Sequence, residues 1–204
     1  MLKTDPTRVV VVYKMPESAI VDWLKFPGVA IASDGMPIVP WDGLKWDTPY
    51  EELGNQHPRG AGAYAKAFRL GRENNIPLMQ IVAMTSYNTA NPLGKMGLKA
   101  MQVRGRMQKG MVADITIFDP ETIRDNATYA KGTLPSSGIP HVIVNDVIVM
   151  KDSEPLKGVN PGQPIRFSVE KEGRFKGLSA EKWKGKYTVT PIDFGGGLPD
   201  MHMH

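Results

Sequence analysis

Two apolar runs with a short helix between them share the first 33 residues, and that order dictates a parallel sheet. Arg8-Val-Val-Val-Val-Tyr13 is a continuous apolar run, the pattern of a strand covered on both faces. Pro16–Lys25 reads as a helix. Pro16 sits where a missing N–H costs little, and Glu17 suits the positive end of the helix dipole. Ile20, Trp23 and Leu24 have the spacing of one buried face. Pro27-Gly28 ends the helix, and Val29–Ala32 makes the second run. Strands joined through a helix run parallel, whereas a tight turn joins antiparallel ones. The second run ends in Ser33-Asp34-Gly35, which delivers the Asp34 carboxylate at a strand mouth. At the C-terminal end of a barrel strand an aspartate reads as chemistry rather than packing. As a local feature it is equally a turn former before Gly35. A whole barrel takes about 250 residues, and this chain has 204. The expected architecture is α/β, the back end of a larger enzyme.

Residues 36–57 form a long loop rich in Pro, Gly and Trp. Trp41 and Trp46 suit a lid or pocket wall, since long loops in ordered domains tend to be functional. Helices follow at Ala61–Asn74, with Tyr64, Ala67, Phe68 and Gly71 on one side, and at Pro77–Met84. A third begins with Thr85 or Ser86 as its cap and closes near Gly94. From Val103 the pattern changes to short apolar runs punctuated by turns: Ala113–Phe118, His141–Val144 and Val147–Met150. Their spacing suits a small β-sandwich or partial barrel. Val144-Asn-Asp-Val147 reads as a two-residue hairpin, because Asn and Asp tolerate positive φ. Residues 168–204 are polar and Gly-rich and read as an extended tail. The expected organisation is therefore barrel elements over 1–98, a β-sandwich subdomain over 99–167, and the tail.

Composition narrows the function classes. With 41% apolar residues the chain is globular. It has no cysteine, which excludes disulfides and a thiol nucleophile. The net charge of +4 is scattered, densest at Lys182–Lys186. No basic stripe is interleaved with aromatics, so no nucleic-acid partner is expected. No apolar run reaches the roughly 18 residues of a membrane span, so no membrane partner is expected either. Residues 1–15 lack a signal-peptide layout, leaving the compartment open between cytoplasm and periplasm.

The motifs occur in a telling order: Ser33-Asp34-Gly35, His57-Pro58-Arg59-Gly60, Met84-Thr85-Ser86, Arg104-Gly105, the Lys109-to-Pro120 segment and His141-to-Asp146. This order resembles the C-terminal part of the N-acyl-D-amino-acid deacylases, or D-aminoacylases, of the amidohydrolase superfamily. The likeness covers roughly residues 7–167. The Gly110-Met-Val-Ala-Asp-Ile-Thr-Ile-Phe-Asp119 segment marks amidohydrolases generally, and the Ser-Asp-Gly and His-Pro-Arg pair the deacylase branch. The resemblance implies the C-terminal portion of a (β/α)8 barrel with a β-sandwich built from both chain ends. It implies that Asp34 takes a proton from a metal-bound water and hands it to the leaving amine, as a weak ligand or through the water. It also implies zinc as cofactor. His57 and Arg59 either cap the helix that follows or serve the substrate pocket and lid. Asp114 reads as structural, bonding backbone at a strand start, and His141 as a structural histidine.

The family's main zinc ligands, a His-x-His, a Cys and further histidines, have no counterpart before Asp34. His202 and His204 have His-x-His spacing, but no apolar strand leads into them. Three readings follow. The chain is a fragment or subunit of a zinc-dependent deacylase, completed by an N-terminal barrel portion on another chain or segment and acting on a small N-acyl-D-amino acid. Or it is a non-catalytic amidohydrolase-like module that binds a partner or ligand. Or it is a self-sufficient hydrolase, which one carboxylate and one histidine do not support. Exposed strand edges make an oligomer an expectation in any case.

Overall fold

The computed structural model describes residues 15–36, 48–50, 52–53, 56–168 and 179–187. The expected strand at 8–13, the loop tryptophans Trp41 and Trp46, and His202 and His204 lie outside the described residues. The chain divides into two units, 1–167 and 168–204.

Helices come first in unit one. They are α1 (Glu17–Leu24), α2 (Arg59–Glu73), α3 (Leu78–Thr85), α4 (Tyr87–Lys95) and the single turn α5 (Lys99–Gln102). Their core is Val21, Leu24, Ala67, Leu70, Ile76, Ile81 and Met84, with Ile20, Val29, Ile31 and Phe68 packed against it. Ile81 and Met84 are almost wholly buried, at 1% and 0% exposure. Close packing fixes the crossing of α2 and α3. A Cβ on Gly71 would lie 2.8 Å from the Ile81 side chain, so α2 presents a bare backbone there. On α1 the buried face is Val21 and Leu24. Trp23, expected inside, is 61% exposed and leans on Phe26 with ring centroids 6.2 Å apart. Neither Thr85 nor Ser86 caps α4. Both hydroxyls instead donate back to α3 carbonyls, Thr85 to Ile81 and Val82 and Ser86 to Val82. Such back-bonding competes with capping for the same side chain.

The expected second strand is not a strand. Residues 29–34 run as irregular backbone, tied to the helices by Ile31 N–H donating to the Met84 carbonyl at 2.9 Å. A ladder needs a neighbouring strand on at least one side. Here the segment's apolar side chains meet helices instead, and its polar groups find single partners. Asn88 donates its side-chain amide to the Pro27 and Val29 carbonyls, at 2.7 and 2.8 Å.

A four-stranded antiparallel sheet follows, in the order β1 (Ile115–Ile117), β2 (His141–Val144), β3 (Val147–Lys151), β4 (Glu154–Pro155). Among the described residues every strand pairing is antiparallel, and the first strand of the parallel pair expected from the N-terminal pattern lies outside them. The β2–β3 connection is the expected hairpin. Asn145 and Asp146 have φ of 48° and 67°, the geometry of a type I′ turn. Asp152 and Ser153, at 52° and 68°, turn β3 into β4 the same way. No strand residue is buried, and Ile117, Val147 and Ile148 stand exposed. One sheet is thus described in the region expected to form a β-sandwich or partial barrel. In unit two, α6 (Ala180–Tyr187) is helical within the segment read as extended.

Candidate functional site

Asp34 ends the irregular segment that packs on the helical core. Its φ of 47° is left-handed, a conformation that Asp tolerates better than most residues. Its side chain is 87% exposed, so the carboxylate points away from the core. The Arg59 guanidinium meets it, Nη2 to Oδ2, at 3.0 Å.

Arg59 opens α2, whose N-cap Pro58 offers no capping side chain. His57 takes that part: its Nδ1 accepts the Arg59 backbone N–H at 3.2 Å. This places the proton of a neutral ring on Nε2. The His57 ring stands edge-on to Tyr129, with centroids 5.1 Å apart. Burial is the main influence pulling its pKa below 6.5, aided by the charges of Arg59 and Lys66 and opposed by Asp34. Sequence reasoning selected Asp34, His57 and Arg59, and the structure brings the three together around the start of α2. The capping and pocket readings of His57 are thus not exclusive.

The segment after β1 closes over the same helix end. Ser136 donates its hydroxyl to the Ala61 carbonyl, and the buried Thr133 donates to the Tyr50 carbonyl. Further along α2, Arg69 grips Asp125 with Nε at 2.6 Å and Nη2 at 3.3 Å, and also reaches Glu17 and Glu73. Lys66 holds Glu17 at 2.7 Å, which draws that carboxyl below its ordinary 4.5. Tyr129 and Lys66 are residues that sequence reasoning missed. Lys66 follows Arg59 by seven residues, two helical turns, so the shared face was legible. Tyr129 lies in a polar loop with no pattern to mark it.

Asp114 and His141 behave as expected. Asp114 accepts the Asn145 backbone N–H at 2.8 Å and Arg104 Nε at 2.8 Å, locking the β2–β3 turn to β1. His141 Nδ1 accepts the Asp152 N–H at 3.4 Å. A metal centre is another matter. Among the described residues no group of three or more His, Asp or Glu side chains could hold an ion. A catalytic zinc takes three protein ligands. Asp34 already has Arg59 on one oxygen, so the described residues do not by themselves fit zinc.

The chain is 36% identical over 111 residues to the N-acyl-D-glutamate deacylase of Alcaligenes xylosoxydans xylosoxydans, covering 54% of this chain and 21% of that protein. It is 31% identical over 140 residues to the D-aminoacylase of the same organism, covering 69% and 25%. Among solved structures it superposes with TM-score 0.57 and 30% identity on the N-acyl-D-glutamate deacylase of Bordetella bronchiseptica, covering 75% and 28%. The chain is a D-aminoacylase relative. That Bordetella enzyme was solved with zinc and a phosphonate inhibitor that mimics the tetrahedral intermediate. A D-aminoacylase structure defining a subset of the amidohydrolases superposes with TM-score 0.55 and 29% identity, over 71% of this chain and 27% of that one. D-aminoacylase is also described with a binuclear metal centre. No family model matches the chain. It spans about a quarter of the length of these D-aminoacylase relatives.

Proposed function

We propose that this chain carries the proton-transfer carboxylate of an N-acyl-D-amino-acid deacylase, completed by a complementary barrel segment on another chain or in a longer protein. The observation that carries this reading is Asp34 itself. It stands outward on left-handed backbone with a guanidinium beside it, in a chain related to enzymes of that reaction. In linear amide hydrolysis Asp34 takes a proton from the attacking water and returns it to the leaving nitrogen. Arg59 holds the carboxylate in place before substrate enters. An acyl-amino acid brings its own carboxylate, which competes for the same guanidinium and frees Asp34 to act. His57 and Tyr129 stiffen the helix start from which Arg59 reaches out. The zinc of the relatives belongs, in this reading, with ligands on the complementary segment.

The test is complementation. The purified chain with zinc should not turn over N-acyl-D-amino acids. Mixed with the preceding segment of a relative it should, and Asp34→Asn should lower kcat by about 10²–10⁴-fold with little change in KM. Turnover by the chain alone, or an Asp34→Asn complex with normal kcat, overturns the reading.

A further inference from the structure

Asp34 sits one residue before a contact that nothing in the turn chemistry requires. Gly35 does not have positive φ, so it is not glycine for the sake of the turn. It is glycine because of what it touches. A Cβ there would lie 2.7 Å from the Gly60 Cα and 3.4 Å from the Gly60 nitrogen. Both are backbone atoms of the first turn of α2, and neither can swing aside. Gly60 has no such constraint on its own side, since among the described residues a Cβ there would meet only the Met36 carbonyl oxygen, at 3.9 Å. The Ser33 hydroxyl oxygen accepts the Gly35 N–H at 3.1 Å and would itself lie 3.3 Å from the added Cβ, a side chain that can give where the Gly60 backbone cannot. Arg59 is the neighbour of Gly60, and Asp34 the neighbour of Gly35. The backbone contact therefore sets where the Arg59 guanidinium and the Asp34 carboxylate meet.

We propose that the close approach of Gly35 to Gly60 is a positioning contact, holding Asp34 over the N-terminal turn of α2 within reach of Arg59. The inference rests on the reading of Asp34 as the proton-transfer group, but its geometry is tested separately. An alanine at position 35 can adopt the backbone conformation and lacks only the space. It should push the loop off α2 and break the ion pair. An alanine at position 60 would make only an ordinary contact, with the Met36 carbonyl oxygen, and should not.

The measurement is the side-chain Nε–H signal of Arg59 in ¹⁵N-labelled full chain. Asp34→Asn gives the position of that signal without the ion pair. Gly35→Ala should move it to the Asp34→Asn position, while Gly60→Ala should leave it at the wild-type position. Ser33→Ala, which loosens the loop without adding bulk, should move it part of the way. A wild-type Arg59 signal in Gly35→Ala overturns the proposal, as does an equal displacement in Gly60→Ala. Collapse of the Ile81 and Met84 core signals in Gly35→Ala also overturns it, because the contact would then serve folding rather than position. In the complemented enzyme, Gly35→Ala should lower kcat more than it raises KM. If Asp34→Asn leaves kcat unchanged while Gly35→Ala still displaces the Arg59 signal, the contact stands and the proton-transfer role falls.

Discussion

Two arginines ten residues apart on α2 each hold an aspartate, and they hold them differently. Arg69 grips Asp125 through two nitrogens, with side-chain exposures of 19% and 12%. It is held in turn by Glu17 of α1 and Glu73 of its own helix. Arg59 touches Asp34 through one nitrogen, with exposures of 44% and 87%. The first pair is shielded from water, forked, and tied to two further carboxylates. The second stands in solvent and depends on a loop contact for its geometry. A bidentate, shielded pair resists exchange with other ions, whereas an exposed single contact is easily traded for another partner. The fold thus uses one kind of ion pair to fix α2 and another, solvent-exposed and open to exchange, to hold Asp34, the carboxylate proposed above for proton transfer.

The sharpest way to break this contrast is Arg69→Ala. It strands Asp125 with its burial unrelieved and unties α1 from α2. Removing one partner of a charged, shielded bond costs about 1–3 kcal/mol, and urea unfolding should show a loss of that size. The Asp34–Arg59 pair should survive, seen as an unmoved Arg59 signal. An unchanged unfolding midpoint would mean that the forked pair is no more structural than the exposed one.

Acid should find the same pair. Burial alone would raise the Asp125 carboxyl, but the bond and charge of Arg69 outweigh it and leave the group below its ordinary 3.8. A carboxyl depressed in the folded state contributes stability above its unfolded pKa and loses it as pH falls through the folded value. Glu17, lowered by Lys66, adds in the same sense just below 4.5. Stability should therefore decline from about pH 4.5 downward, and Asp125→Asn should flatten part of that decline. Equal acid curves for the two proteins would remove Asp125 from the account.

Arg59→Ala should barely change stability. Exposed ion pairs are worth about 0–1 kcal/mol, and this one has a carboxylate that water solvates readily. The effect should appear in the complemented enzyme instead, as a raised KM. A loss of stability matching Arg69→Ala would erase the distinction between the two arginines.

What the sequence revealed followed the range of each signal. Helix periodicity is local, so α1 to α4 were legible within a residue or two at most ends, although the cap expected of Thr85 or Ser86 does not form. The Asn145-Asp146 hairpin was legible because positive φ selects its residues. Asp114 was legible because an aspartate between apolar runs must bond backbone. Val29–Ala32 was misread because an apolar run says only that a segment is covered, not by what. Here helices cover it. Trp23 fell on the expected face of α1 yet stands exposed, since spacing cannot say how wide the covering surface is. At the site, the types and order of Asp34, His57 and Arg59 were readable. The Gly35–Gly60 approach was not, because it joins backbone atoms 25 residues apart in the chain and leaves no mark beyond two ordinary glycines.

The smallest expected effect, and the finest test of the contrast, belongs to His57. Its Nδ1 accepts the Arg59 N–H, so it orders the exposed arginine as Glu17 and Glu73 order the shielded one. A protonated imidazole has no lone pair at Nδ1 and cannot accept that bond. The groups facing the ring are Arg59 and Lys66, which oppose its charge, Asp34, which favours it, and the Tyr129 ring. Burial and the cations prevail, and the folded pKa lies below 6.5. The unfolded chain then binds more protons than the folded one between the two values. This contribution to stability is complete above pH 6.5 and is lost as pH falls through the lowered folded value. His57→Asn places an amide oxygen where Nδ1 stood and does not titrate. In wild type, the Arg59 backbone amide signal should shift as pH drops below 6.5, while in His57→Asn it should stay put. The unfolding midpoint should differ only slightly, because the residue is largely exposed and the ring only partly desolvated. If the Arg59 amide follows the same titration in both proteins, His57 is not its cap. The exposed arginine would then be positioned by the Gly35–Gly60 contact alone.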